Sequence, residues 1–125
     1  MTDRHLTILA AINMIVAVGA GAFGAHGLKR MITPDMLAVW QTGVLYHLIH
    51  ALGLFVIAFL GARFASPQLS AAGWLMFIGI VLFSGSLYAL TLTGTRILGV
   101  ITPIGGTAFL AAWALVAWAA WRAPA

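Results

Sequence analysis

The stretch Leu6–Leu28, "LTILAAINMIVAVGAGAFGAHGL", holds no charged side chain and closes on the pair Lys29–Arg30. A bilayer core about 30 Å thick needs about 20 apolar residues at a helical rise of about 1.5 Å each. The stretch is therefore long enough for one crossing, and the cations at its end suit a membrane interface. A soluble helix of this length would carry polar residues on every turn. Here the polar side chains are reduced to Thr7, Asn13 and His26.

Three further runs repeat the pattern. Gln41–Ala62 closes on Arg63, Leu69–Leu92 precedes Arg96, and Leu98–Trp121 precedes Arg122. The 125 residues are 63% hydrophobic and 6% charged, against roughly 25% charged in ordinary soluble domains. Six Lys and Arg and two Asp cannot furnish a water-soluble surface. The expected fold is all-α: an integral membrane, up-and-down four-helix bundle, one transmembrane domain over residues 1–125 with spans at about 6–28, 41–62, 69–92 and 98–121. "MTDRHL" places charge ahead of the first run, as a signal peptide would, but the run is too long for one and reads as a retained helix.

The linkers set the connections. In "MITPDMLAVWQTG", Thr33 can cap a helix, Pro34 suits its first position and Asp35 complements its dipole. A short interfacial helix or helix extension should thus precede the second span, with Trp40 at the headgroups. "FASPQLS" and "TLTGTRILG" are short turns, so successive helices run antiparallel.

The net charge of +4 comes from single cations or one pair flanking apolar runs, which makes them interface anchors and leaves no nucleic-acid surface. With no cysteine in the chain, disulfides, thiolate nucleophiles and cysteine-ligated metals are excluded. An even number of spans puts both termini on one side. Arg4, Arg63 and Arg122 on that side balance Lys29, Arg30 and Arg96 on the other, and the free amino terminus tips the termini toward the cytoplasm.

Polar residues gather toward the side of the first and third loops. Counted from that edge at the helical rise, His26 lies about 3 Å deep and Tyr46, His47 and His50 about 7 to 13 Å deep; Ser84, Ser86, Tyr88, Thr102 and Thr107 fall in the same leaflet. Lipid offers such groups no hydrogen-bond partners, so they should face inward. These nine residues are the candidate ligand-binding set. Gly21 and Gly24 in the first helix, and Gly105 and Gly106 in the fourth, are candidate close-packing positions.

"GAFGAHGL", "QTGVLYHLIHALGL", "VLFSGSLYAL" and "TPIGGTAFLAAWAL" together resemble the YgdD-like family of small four-helix membrane proteins, a domain family of unknown function. The resemblance implies a bacterial inner-membrane location. It implies no established activity, substrate or catalytic residue.

Blander readings stand beside the site. His26 suits a helix C-terminus, His50 could bond Ser84 or Thr107 as interhelical glue, and Asn13, alone near mid-membrane, suits the same role. His47 and His50 at i, i+3 supply two metal ligands with no intramembrane carboxylate to complete a set, so no metal site is expected. Haem would need facing axial histidines, and only His26 with His47 match in depth. Ser84 and Ser86 lack the base and acid of a hydrolase. The expectation is a non-enzymatic membrane protein without a cofactor. Its polar site binds or passes a small molecule or lipid headgroup; the alternatives are a structural or accessory subunit, as a homo-oligomer or with a membrane-complex partner, or a haem- or quinone-binding redox partner.

Overall fold

The computed structural model describes residues 1–125 as four long helices without strands: α1 (Asp3–Ala25), α2 (Pro34–Arg63), α3 (Pro67–Thr93) and α4 (Thr102–Arg122). Short 3-10 turns at Leu28–Arg30 and Arg96–Val100 complete the first and third connections. All four helices are long and apolar enough to cross a membrane. Large apolar side chains stand far out on the surface, Ile15 at 73% and Leu110 at 74% exposure, which only a lipid surround makes favourable.

Each helix starts where local chemistry permits. Thr2, Thr33 and Ser66 accept hydrogen bonds from the backbone N–H of His5, Met36 and Leu69, satisfying donors that have no partner within the helix. Pro34, Pro67 and Pro103 occupy first-turn positions, where the missing N–H costs nothing. α3 stops at Gly94, whose φ of 71° is the left-handed cap that glycine adopts without strain. The extension ahead of the second span is continuous with it: α2 begins at Pro34 as one helix of 30 residues. His50 therefore stands near the middle of α2.

Packing follows chain order, α1 on α2, α2 on α3 and α3 on α4. Half of the apolar window of α2 is buried, against 17% for α1 and for α4, so α2 and α3 form the centre and α1 and α4 flank them. The main core, around Leu54, Ile57, Met76 and Phe109, is purely apolar. A smaller cluster of Leu28, Trp40 and Val44 closes the end where α1 meets the start of α2.

Trp40 departs from the interfacial position expected of it. It is 5% exposed, its ring lies over Gly24, and its Nε1–H donates to the Ala20 carbonyl at 2.9 Å. Glycine at position 24 leaves that carbonyl, one turn back, open to a side chain from α2. Burial of the ring with its donor paired outweighs an interfacial perch.

Candidate functional site

The polar residues divide into two groups. The first is buried and fully paired. On α2, His47 is 4% exposed; its Nε2 lies 3.0 Å from Asn13 Oδ1 on α1 and its Nδ1 3.0 Å from the Tyr88 hydroxyl on α3. The Asn13 amide donates in turn to the Leu9 carbonyl at 2.9 Å. Because Oδ1 can only accept, the proton sits on His47 Nε2, and Tyr88 donates to Nδ1. One imidazole thus ties three helices together with both ring nitrogens occupied, which leaves His47 no free position for an axial metal bond.

Serines extend the paired group. Ser84, fully buried, donates to the Gly43 carbonyl across the α2–α3 contact at 2.7 Å. Ser86 bonds Thr102 at 2.6 Å, joining α3 to the start of α4. Every buried side-chain nitrogen and oxygen has a partner, as a stable interior without water requires.

The second group surrounds a groove of about 420 Å³ between α2 and α4, floored by α3. Tyr46, His50, Phe83, Thr107, Phe109 and Trp113 line it. His50 donates from Nδ1 to the Tyr46 carbonyl one turn earlier, at 2.7 Å. The bond to Ser84 or Thr107 expected from depth is not made: Ser84 is committed to Gly43, and Thr107 donates to Pro103 within its own helix. His50 Nε2 consequently has no protein partner, and since no buried polar atom is left unpaired, it opens on the groove. The ring lies flat on Phe109, and Tyr46 stacks at the edge of the same aromatic wall.

His26 joins neither group. It caps the end of α1, exposed and with no side-chain hydrogen bond, beside the Lys29–Arg30 turn. Of the glycines, Gly24 receives Trp40, Gly21 faces Val44, and Gly105 lies against the Phe83 backbone. A Cβ on Gly106 would meet Phe83 only at ordinary contact distance, 3.8 Å. Sequence reading passed over Gly79, which lies beneath the Phe109 ring, and over the groove residues Phe83, Phe109 and Trp113. Apolar aromatics in a membrane helix carry no signal that separates a ligand wall from a lipid face.

The family described as "Protein of unknown function (DUF423)" matches residues 20–106. The UPF0382 membrane protein YwdK of Bacillus subtilis (strain 168) is 58% identical over 114 residues, covering 90% of this chain and 93% of its own. A UPF0382 membrane protein of Staphylococcus epidermidis is 50% identical over 106 residues, 85% of this chain and 86% of its own. No solved structure matches the chain.

Proposed function

Since the chain belongs to the DUF423 family, that of the UPF0382 membrane proteins, we propose that this integral membrane protein is a non-enzymatic binder of a small membrane-soluble molecule. The observation that carries the reading is His50 Nε2, an acceptor without a protein partner that opens on an aromatic groove, in a protein whose buried side-chain polar atoms all have partners. Ligand pockets characteristically combine apolar walls with one or two convergent polar groups.

The groove opens sideways between α2 and α4, where exposed Leu110 and Thr107 border it, so the ligand enters from lipid. Of the nine candidate residues, Tyr46 and His50 serve the site and Thr107 stands at its mouth; His47, Ser84, Ser86, Tyr88 and Thr102 hold helices together, and His26 serves the interface. The single domain spans residues 1–125, crosses the membrane four times and keeps both termini on the cytoplasmic side of a bacterial inner membrane. Family kinship extends, on this reading, to the YgdD-like proteins that the four motifs resemble.

A second reading is favoured by the bare outer face of α1, where Ile12, Ile15 and Val18 are all more than half exposed. Such a face suits a second copy or a partner subunit as well as lipid. One experiment tests the groove. The chain has no cysteine, so Thr107→Cys places a lone thiol at the groove mouth and Ile15→Cys a control on α1. A lipophilic maleimide should modify both in nanodiscs, and a bacterial lipid extract should slow the first alone. Equal modification of both with extract present would overturn the binding reading.

A further inference from the structure

Resting on the groove as a binding site, we infer that its ligand is a phenolic amphiphile: an uncharged ring bearing a hydroxyl, as in a tailed phenol or hydroquinone. The chemistry of the wall narrows the class. No charged side chain lines the groove, so an anionic or cationic headgroup would be left uncompensated in lipid.

Hydrogen bonding narrows it further. A carbonyl can only accept, so the bond to Tyr46 O places the proton of His50 on Nδ1. In the uncharged ring Nε2 is then a bare acceptor. It calls for a ligand that donates, which an ether, an ester or a quinone carbonyl cannot do. The Tyr46 hydroxyl, without a protein partner, can donate back to the ligand oxygen.

The remaining wall is planar. Tyr46 sits against Phe83 at 4.4 Å between ring centroids, His50 against Phe109 at 3.5 Å, and Trp113 beside His50 at 6.0 Å. Aromatic faces and edges favour a flat ring over a flexible alkyl alcohol. The hydrocarbon tail leaves past Leu110 into the bilayer.

The test uses the purified protein in nanodiscs and three probes of matched tail: para-decylphenol, its methyl ether, and n-decanol. Protection of Thr107→Cys from the maleimide reads occupancy. The phenol should protect at about tenfold lower concentration than the ether, the effect of about one hydrogen bond, and about tenfold lower than n-decanol. In the His50→Phe variant, which keeps the stack on Phe109, the phenol and ether should become equal. The wild-type protein labelled with ¹⁵N-histidine gives a readout that does not depend on a variant folding: the Nε2 resonance of His50 should move with the phenol and not with the ether. Equal protection by phenol and ether would overturn the donor assignment. Protection by n-decanol as strong as by the phenol would overturn the aromatic class while leaving the binding site intact. Protection by none of the three, with lipid extract still protective, would likewise remove the ligand class alone; with the extract also inert, the site itself falls.

Discussion

His50 and Phe109 lie face to face across the α2–α4 contact, ring centroids 3.5 Å apart and planes 9° from parallel. Phe109 can reach that position because Gly79 of α3 has no side chain: a Cβ there would collide with the ring. Gly79, Phe109 and His50 therefore form one stack that sets the groove wall. Gly79→Ala should cost about 1 to 3 kcal/mol by overpacking and weaken occupancy of the groove, measured by unfolding in mixed micelles and by Thr107→Cys protection. Unchanged stability and protection would separate the stack from the site.

The Asn13–His47–Tyr88 chain predicts coupled energies. Asn13→Ala leaves the His47 Nε2–H without its acceptor and should cost about 1 to 3 kcal/mol; Tyr88→Phe removes one donor from Nδ1 and should cost about 0.5 to 1.5 kcal/mol. Once His47→Leu has removed both bonds, each change should cost much less, because residues in one network are not additive. Strict additivity of Asn13→Ala with His47→Leu in an unfolding cycle would mean that the bond contributes nothing.

The four apolar helices and the cap ahead of α2 were legible because both depend on local sequence: run length in one case, and Thr33-Pro34 in the other; the Ser66 cap lay inside a stretch read only as a short turn. The partition of the polar residues was not. His47 and His50 are three residues apart, which turns them about 60° from each other on the helix, so one faces α1 and α3 while the other faces α4. Depth alone assigns both to one polar layer. Trp40 was misplaced for a similar reason. A tryptophan near a helix start reads as an interface anchor, and only the tertiary pairing of α1 with α2 brings Gly24 beneath its ring.

That pairing yields a contrast within α1. A Cβ on Gly24 would stand 2.7 Å from Trp40 Cδ1, whereas one on Gly19 would meet nothing within 4 Å. Gly24→Ala should therefore destabilise by about 1 to 3 kcal/mol, and Gly19→Ala should fall within about 0.5 kcal/mol of neutral. Trp40→Phe, which gives up the bond to Ala20 and shrinks the ring, should relieve part of the Gly24→Ala penalty. Equal melting behaviour of the two alanine variants in detergent would mean that α1 does not close on Trp40.

α4 offers the matching test at adjacent positions. Gly105 faces the Phe83 main chain, 2.8 Å from Cα to an added Cβ, while Gly106 faces only the Phe83 ring at 3.8 Å. Backbone cannot rotate aside as a side chain can, so Gly105→Ala should separate α4 from α3 and cost at least the about 1 to 3 kcal/mol of ordinary overpacking. Gly106→Ala should stay within about 0.5 kcal/mol of wild type. Reversal of that order in a micelle unfolding assay would contradict the α3–α4 register.

Orientation rests on a near balance, and a near balance is easily tipped. Arg4, Arg63 and Arg122 stand on the side of the termini and Lys29, Arg30 and Arg96 on the other; positive charge near span ends sets which side stays in the cytoplasm. With the termini cytoplasmic, Arg63→Gln leaves Arg4, Arg122 and the amino terminus against Lys29, Arg30 and Arg96, an even balance. A fraction of molecules should then insert inverted, whereas Lys29→Gln with Arg30→Gln should reinforce the native direction. Alkaline phosphatase and fluorescent-protein fusions at each terminus read the outcome. Both termini should report the same compartment in every variant, since an even number of crossings requires it; termini on opposite sides would break the four-crossing topology, and a uniform population in Arg63→Gln would show that charge in the loops does not set the direction.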